Sequence, residues 1–297
     1  MITVLQQKAF MQFIRQKVKS YLPLIKSLQT GLLLVTGITG YLSARCPVHT
    51  PTEFVGLVGS LFLAISGSTI LNMVYDRDID AKMLRTAHRP LPSGRLDAKE
   101  ALALGLICSV AGVGWAWLLA PLFGAVVFAG LFIDVVVYTI WLKRHTPWSI
   151  VWGGISGGMP ILAGRVLSTG FIDPAGLLFA ATILLWIPTH ILTFNIRYAA
   201  DYQRAGIPTF VSSCGLKKTR IIIAASSIAA AAGMAGCLIV LGFSWGYLRV
   251  LALLTLGITC IATKSILFPT EETDLGLFKG ASLYMFGSMM TITLGSL

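Results

Sequence analysis

Nine apolar segments of membrane-spanning length make up most of this chain. They cover residues 23–44, 54–75, 99–119, 121–142, 149–169, 174–196, 219–243, 246–268 and 275–297. A helix needs about 20 apolar residues to cross a bilayer. Hydrophobic residues form 56% of the sequence and charged residues only 12%, which excludes an ordinary soluble domain. The sequence therefore predicts an all-α polytopic membrane protein with nine transmembrane helices.

The basic residues predict how these helices are oriented. Of the 23 lysines and arginines, 20 lie at the N-terminus or flank the loops after even-numbered segments. Loops rich in Lys and Arg stay in the cytoplasm, so we expect a cytoplasmic N-terminus and an external C-terminus. Residues 4–22 place apolar side chains among Lys and Arg and predict a helix lying along the inner membrane surface. We expect 1–22 to be a separate N-terminal segment and 23–297 to be one transmembrane domain.

The net charge of +11 needs no nucleic acid to explain it. Basic loops that face anionic lipid account for the excess. The sequence therefore predicts the lipid bilayer as a partner and no nucleic acid.

Three side chains with oxygen ligands stand four residues apart at the end of the second segment. At about 100° per residue, Asn72, Asp76 and Asp80 advance only about 40° per step and share one face of a helix. Neighbouring carboxylates repel each other and lose hydration near a membrane, so sharing Mg²⁺ stabilises them. The sequence predicts a Mg²⁺ site at these three residues, and Mg²⁺ in turn predicts a diphosphate ligand. The competing interpretation is a solvated helix end.

Two loops contain most of the polar chemistry. Residues 76–98 hold the acidic cluster together with Arg85 and Arg89, and residues 197–218 hold Asp201 and Tyr202. Both loops follow even-numbered segments, so we expect them to face each other across one cavity. Arg85 and Arg89 are predicted to contact phosphate, although basic residues here could also serve only to set the topology.

Three motifs follow one another along the chain. The first motif contains Asn72, Asp76, Asp78 and Asp80, followed by Arg85-Thr86, Arg89-Pro90 and Gly94. The second is Tyr138-Thr139 with Leu142-Lys143-Arg144 and Thr146-Pro147-Trp148. The third is Trp186, Pro188 and His190 with Asp201-Tyr202 and Gly206-Ile207-Pro208. With these spacings, over residues of about 20 to 290, the chain resembles the membrane-embedded (UbiA-like) prenyltransferases. Within that superfamily it most resembles the branch that farnesylates haem.

The resemblance implies nine helices around a central cavity and a Mg²⁺-dependent transfer of a farnesyl group. Farnesyl diphosphate and protohaem IX would be the substrates, in the cell's inner membrane. Haem A synthase or cytochrome oxidase assembly proteins are possible partners. Asp201 would complete a second metal-binding wall, with a helix cap as the alternative. Lys143 and Arg144 would join Arg85 and Arg89 at the leaving diphosphate.

His190, Tyr138 and Tyr202 are the candidate acceptor-binding residues. The His190 imidazole lies at membrane depth, where it could ligate haem iron or orient a substrate carboxylate. A buried histidine that braces neighbouring helices fits the sequence equally well. Two other functions also stay open. One is a prenyltransferase for a quinone precursor, a chlorophyll-type ring or an archaeal glycerol lipid, and the other is a transporter, since polar residues in spans also mark ion paths.

Overall fold

The computed structural model describes residues 11, 20–45 and 50–297, and in these ranges the chain is helical and contains no strand. A 3₁₀ helix, Leu22–Ile25, precedes the first α-helix, and a ten-residue π-helix, Ile133–Leu142, continues the fifth. The α-helices of the described part are α1 (Ser27–Ser43), α2 (Pro51–Tyr75), α3 (Arg77–Lys82), α4 (Ala98–Leu119), α5 (Pro121–Phe132), α6 (Ser149–Thr169), α7 (Pro174–Arg197), α8 (Ala199–Arg204), α9 (Phe210–Cys214), α10 (Leu216–Val240), α11 (Trp245–Leu267) and α12 (Glu271–Ser296).

Each predicted apolar segment corresponds to one long helix, if α5 and its π-helical continuation are taken together. Seven of the helices in the described part are long and apolar enough to cross a membrane. The other two are α1, which has 17 residues, and α12, whose first turn carries three acids. The all-α polytopic membrane fold is therefore confirmed, whereas nine spans and a cytoplasmic N-terminus stay predictions. The surface helix predicted over residues 4–22 falls largely outside the described residues.

Polar caps followed by proline set the beginnings of α2 and α7. The side chain of Thr50 accepts a hydrogen bond from the Glu53 amide, and the side chain of Asp173 accepts one from the Gly176 amide. Proline is the next residue in both cases and lacks the amide hydrogen that a first helical turn leaves unpaired. These local signals explain why the spans begin within a few residues of the predicted positions.

The small residues of α6 allow neighbouring helices to approach it closely. A β-carbon on Gly158 would lie 2.7 Å from the carbonyl oxygen of Ala180 in α7. One on Gly164 would lie 1.9 Å from the carbonyl oxygen of Gly37 in α1. Close backbone contact at small residues is the usual means of helix packing in membranes, and it makes α6 the helix around which α1 and α7 are arranged.

One cavity lies inside the bundle. Its lining comes from α1, α2, α5, the π-helix, α6, α7, α12 and the loops at one end, while α4, α10 and α11 contribute no lining residue. Helix α2 packs chiefly against α4, α1 and the 3₁₀ helix, whereas α7 packs chiefly against α10, α6 and α12. Helices α2 and α7 therefore border the cavity from different sides.

The loops 76–98 and 197–218 pack together at one end of this cavity. Ile79 and Met83 of the first loop form a buried apolar cluster with Ala205 and Ile207 of the second. The prediction that these two loops face each other is confirmed. They bring residues that are more than a hundred positions apart in sequence to the cavity mouth.

The close contact at Gly164 gives a test of the packing. We expect Gly164→Ala to lower thermal stability markedly, because the added methyl group forces α1 and α6 apart, and overpacking of this kind costs about 1–3 kcal/mol. Gly236→Ala is the matched control, since its β-carbon would meet only Leu178, at 3.8 Å. Melting of both variants in the same detergent measures the difference, and equal melting temperatures would contradict the packing described here.

Candidate active site

The cavity has a volume of about 970 Å³, at the upper end of the range of about 300–1,000 Å³ for ligand sites. Charged and amide side chains cluster where the two loops meet the ends of α2 and the π-helix. Aliphatic and aromatic side chains from the membrane-spanning helices line the rest. Such a cavity is suited to amphiphiles that have an anionic group at one end.

Asn72, Asp76 and Asp80 form a buried ladder at the mouth of this cavity. The amide of Asp76 donates to the carbonyl oxygen of Asn72 at 2.9 Å, and the amide of Asp80 donates to that of Asp76 at 2.8 Å. Helical register therefore continues from α2 into α3, which keeps the three side chains on one face. All three line the cavity and are at least nine-tenths buried.

The two acids of this ladder each have a close cationic partner. Lys143 forms a salt bridge with Asp76, and Arg89 Nη1 lies 2.8 Å from Asp80 Oδ2. Burial alone would lower the pKa of the Lys143 ammonium, but Tyr138 and Asp76 raise it above its ordinary value. Lys143 therefore stays charged. Each of the two acids is balanced by a cation at the cavity wall.

The π-helix places Lys143 over the cavity. A π-helical turn closes between residues five apart, and the Lys143 amide accordingly donates to the Tyr138 carbonyl oxygen at 2.8 Å. The Lys143 ammonium lies 5.8 Å from the centroid of the Tyr138 ring. Tyr138, one of the predicted acceptor residues, lines the cavity beside this lysine.

One oxygen of the ladder accepts no hydrogen bond from the described residues. Asp76 Oδ1 is buried, and its contact with Arg144 Nη2 is a long ion pair of 4.0 Å. Unsatisfied buried oxygens are rare and often mark a place for an ion. Among the described residues no three acidic, histidine or cysteine side chains already surround one metal position. The donor set of carboxylate and amide oxygens nevertheless fits Mg²⁺.

Arg144, which is predicted to bind diphosphate, is not among the residues that line the cavity. Its two Nη atoms each lie 2.8 Å from an oxygen of Asp78, and Nη2 also donates to the Tyr75 carbonyl oxygen at 2.8 Å. The hydrogen bond from Arg144 holds the pKa of the Asp78 carboxyl below its ordinary value. Since Asp78 points outwards from the ladder, this pairing draws Arg144 away from the site.

Asp201 also lies beside the cavity wall and not on it. Its two carboxylate oxygens accept hydrogen bonds from the Leu84 and Arg85 amides, both at 3.2 Å, and Arg204 pairs with it at 3.1 Å. The structure thus shows Asp201 bracing the first loop. Its role as a metal ligand stays a prediction that this position does not support. Tyr202, the next residue, does line the cavity.

Arg85 and His190 line the cavity among aromatic rings. The His190 ring centroid lies 5.5 Å from that of Trp186, 5.5 Å from that of Phe194 and 4.9 Å from that of Phe278. Its Nδ1 atom is buried without a hydrogen-bond partner. The alternative in which His190 braces neighbouring helices through a hydrogen bond at Nδ1 therefore finds no support in the described part of the chain.

Sequence reasoning missed Asp134, which anchors the ladder from the π-helix. Asp134 Oδ2 accepts hydrogen bonds from the Ser68 hydroxyl and, at 2.8 Å, from Asn72 Nδ2, while Thr139 donates to Asn72 Oδ1 at 2.9 Å. These bonds fix the orientation of the Asn72 amide. An acid in the middle of an apolar segment is itself a signal of function, so Asp134 could have been found from the sequence.

Lys26 is a second missed residue. It lines the cavity and adopts a left-handed backbone conformation, with φ 44° and ψ 59°, between the 3₁₀ helix and α1. This conformation costs a residue with a β-carbon about 1–2 kcal/mol. Strain of this kind often marks a functional position. No described acid forms a salt bridge with Lys26, so its amino group can contact a ligand.

Comparison with known proteins defines the family. Residues 33–287 match the UbiA prenyltransferase family. The chain belongs to this family. A protein of Archaeoglobus fulgidus named protoheme IX farnesyltransferase is 38% identical over 276 residues, which cover 92% of this chain and 94% of the relative. A protein of the same name from Pyrobaculum islandicum is 37% identical over 87% of this chain and 92% of its own length.

Solved structures share the fold of this UbiA-family chain. A structure concerned with digeranylgeranylglyceryl phosphate synthase has a TM-score of 0.78 at 19% identity, covering 95% of this chain and 99% of its own. A UbiA homologue of Archaeoglobus fulgidus, bound to DMAPP and Mg²⁺, has a TM-score of 0.71 at 15% identity, covering 93% and 99%. At these identities the likeness extends to the fold alone.

Substitutions at two adjacent basic residues test which of them binds substrate in the active site. We expect Lys143→Gln to raise the KM for a prenyl diphosphate at least about tenfold, because a charge-assisted hydrogen bond is worth about 1.5–3 kcal/mol. Arg144→Gln should change it far less, since Arg144 points away from the cavity. Lys143→Arg keeps the charge and should restore part of the affinity. Steady-state kinetics measure all three, and a larger effect from Arg144→Gln would contradict this assignment.

Proposed function

We propose that this chain transfers the farnesyl group of farnesyl diphosphate to a vinyl group of protohaem IX, which gives haem O and diphosphate. The observation that carries the proposal is the cavity itself, whose walls are mainly apolar and whose one end holds the buried ladder and the cations paired with it. Relatives named protoheme IX farnesyltransferase, at 37–38% identity over most of their length, support the choice of acceptor.

The polarity of the cavity matches that of a prenyl diphosphate. The farnesyl chain would lie among the apolar side chains of the spanning helices, which bury it as lipid would. The diphosphate would lie at the loop end against Lys143, Arg89 and Lys26. Since Lys143 and Arg89 already stand in the cavity opposite carboxylates, they can turn from those oxygens to phosphate oxygens with little movement.

Charge on the leaving group is the main obstacle to this reaction. When the allylic C–O bond breaks, its electron pair leaves with the diphosphate, whose negative charge grows. Lys143, Arg89 and Lys26 would stabilise that charge more strongly in the transition state than in the ground state, which is the condition for catalysis. Burial strengthens the effect, because little water screens these cations.

Asn72, Asp76 and Asp80 are the residues that would hold Mg²⁺. The Asp76 oxygen that accepts no hydrogen bond and the Asp80 carboxylate at the cavity suit this hard cation. When bound, Mg²⁺ would supply further neutralisation of the departing diphosphate. Asp134 and Thr139 would keep the Asn72 amide in place. A UbiA homologue of the same fold is bound to DMAPP and Mg²⁺, which supports the choice of this metal.

The acceptor completes the balance of bonds. The π electrons of the vinyl group form the new C–C bond to the allylic carbon, which leaves a cation on the adjoining carbon of the acceptor. Water adds there and releases one proton, giving a hydroxyalkyl product. The cluster of Trp186, His190, Phe194 and Phe278 offers ring faces to a flat macrocycle. The His190 imidazole lines the cavity, where it would contact the iron or a polar group of the acceptor.

Two parts of the expected context stay predictions. The chain is a multi-pass membrane protein, and we place it in the cell's inner membrane. Haem A synthase or cytochrome oxidase assembly proteins would then be suitable partners, because a membrane-bound haem product has to pass to another membrane protein.

Product analysis tests the proposed function. Purified protein in detergent would be given farnesyl diphosphate, protohaem IX and Mg²⁺, and the extracted haem would be analysed by mass spectrometry. We expect a product heavier than protohaem by one farnesyl group and one hydroxyl group. A quinone precursor and a glycerol phosphate would be offered in parallel reactions, and farnesylation of either, with none of protohaem, would contradict the proposal.

Substitutions of neighbouring acids in the first motif distinguish a catalytic role from a structural one. We expect Asp76→Ala and Asp80→Ala each to lower kcat at least about a hundredfold, since loss of a ligand to the leaving group's metal costs several kcal/mol. Asp78→Ala is the matched control, because that carboxylate points out of the cavity and contacts Arg144 instead. Similar losses in all three variants would indicate damage to the helix end and would contradict the separate roles.

A further inference from the structure

Arg85 differs from the other cations of the cavity because its side chain contacts aromatic rings and forms no salt bridge with an acid of the described residues. Its guanidinium carbon lies 5.0 Å from the centroid of Tyr198 and 5.9 Å from that of Phe194. It forms no salt bridge with any acid in the described part of the chain, and its buried Nε has no hydrogen-bond partner. Ring faces attract a guanidinium but carry no net negative charge. Arg85 therefore retains its capacity to bind an anion.

The backbone of Arg85 is anchored on the α7 side of the cavity. Asp201, in α8 just beyond α7, accepts hydrogen bonds from the amides of Leu84 and Arg85. The two rings beneath the guanidinium come from the end of α7 and the residue that follows it. Arg85 thus belongs to the first loop in sequence but to the α7 wall in space.

The neighbours of Arg85 on this wall suit a flat apolar ligand. Phe194 packs against Phe278, with centroids 5.2 Å apart, and against His190. Trp186 stacks on the other side of His190. These four residues line the cavity as one aromatic row and contribute no acid. A ligand lying on this row would have its polar groups within reach of Arg85.

The ladder lies on another wall. Asp76 and Asp80 project from the end of α2 and from α3, and their partners are Lys143 and Arg89. Helices α2 and α7 pack against different neighbours, so the ladder and the aromatic row stand on different helices of the cavity wall. A diphosphate at the ladder leaves Arg85 free for a second ligand.

We propose that Arg85 binds a propionate carboxylate of the haem acceptor and so turns the vinyl edge of the macrocycle towards the ladder. The inference rests on the proposed function and replaces the expectation that Arg85 binds diphosphate. Protohaem carries its two carboxylates on one edge and its vinyl groups on other edges of the ring. A guanidinium matches a carboxylate with two parallel hydrogen bonds. Holding the acid edge at the α7 wall directs a vinyl group to the allylic carbon beside α2.

The test compares Arg85→Gln with the wild type on two acceptors, protohaem IX and its dimethyl ester, which has the same ring but no carboxylate. For protohaem, we expect Arg85→Gln to raise the KM at least about tenfold and to leave the KM for farnesyl diphosphate nearly unchanged. For the ester, the wild type should already show the raised KM, and the substitution should add nothing. Arg85→Lys should recover part of the affinity for protohaem.

Two results would overturn the inference. A rise in the KM for farnesyl diphosphate that equals or exceeds the rise for protohaem would assign Arg85 to the diphosphate. An equal loss with protohaem and its ester would show that the residue acts only through packing. If Arg85→Gln fails to fold, the wild type decides alone, because an unchanged KM for the ester contradicts carboxylate binding.

A matched variant and the wild-type activity separate this inference from the function on which it rests. Arg95→Gln removes a cation from the same loop that contacts Ser93 and the His88 carbonyl oxygen outside the cavity, and it should leave both KM values unchanged. A wild type that farnesylates protohaem but ignores its carboxylates would refute the inference alone. A wild type that farnesylates neither acceptor would refute the proposed function as well.

Discussion

Burial of charge at the mouth of an apolar cavity is the constraint on which the rest of this structure depends. A buried carboxylate is costly unless a cation or a metal neutralises it, and Asp76 and Asp80 are at least nine-tenths buried. Lys143 and Arg89 meet that need. The same pairs hold opposite charges ready for a metal diphosphate, so the arrangement that stabilises the fold also prepares the site.

Several structural features follow from the need to bring these four groups together. Helical register has to continue from α2 into α3, because otherwise Asp80 would leave the face that Asp76 occupies. The π-helix has to end at Leu142, because its five-residue turn carries Lys143 to the cavity. The loop between α3 and α4 must fold back over the mouth to deliver Arg89. Asp201 secures that return through two backbone amides.

Local periodicity made part of this predictable from the sequence. The span positions and the shared face of Asn72, Asp76 and Asp80 depend on residues a few positions apart, whose spacing can be counted. Asp201 and Arg144 could not be placed in this way. The backbone amides that bind Asp201 belong to residues more than a hundred positions earlier in the sequence. Whether Arg144 contacts Asp76 or Asp78 depends on the direction in which the π-helix ends. Lys26 depends on a left-handed turn that no residue type there signals.

A structure with an inert substrate tests the central claim most directly. The protein would be determined with a non-hydrolysable farnesyl thiodiphosphate and Mn²⁺, whose anomalous scattering locates the metal. The account predicts the metal at the oxygens of Asp76 and Asp80, phosphate oxygens within hydrogen-bond distance of Lys143 and Arg89, and the prenyl chain among the spanning helices. Diphosphate bound elsewhere, with both salt bridges intact, would contradict the claim that these pairs form the substrate site.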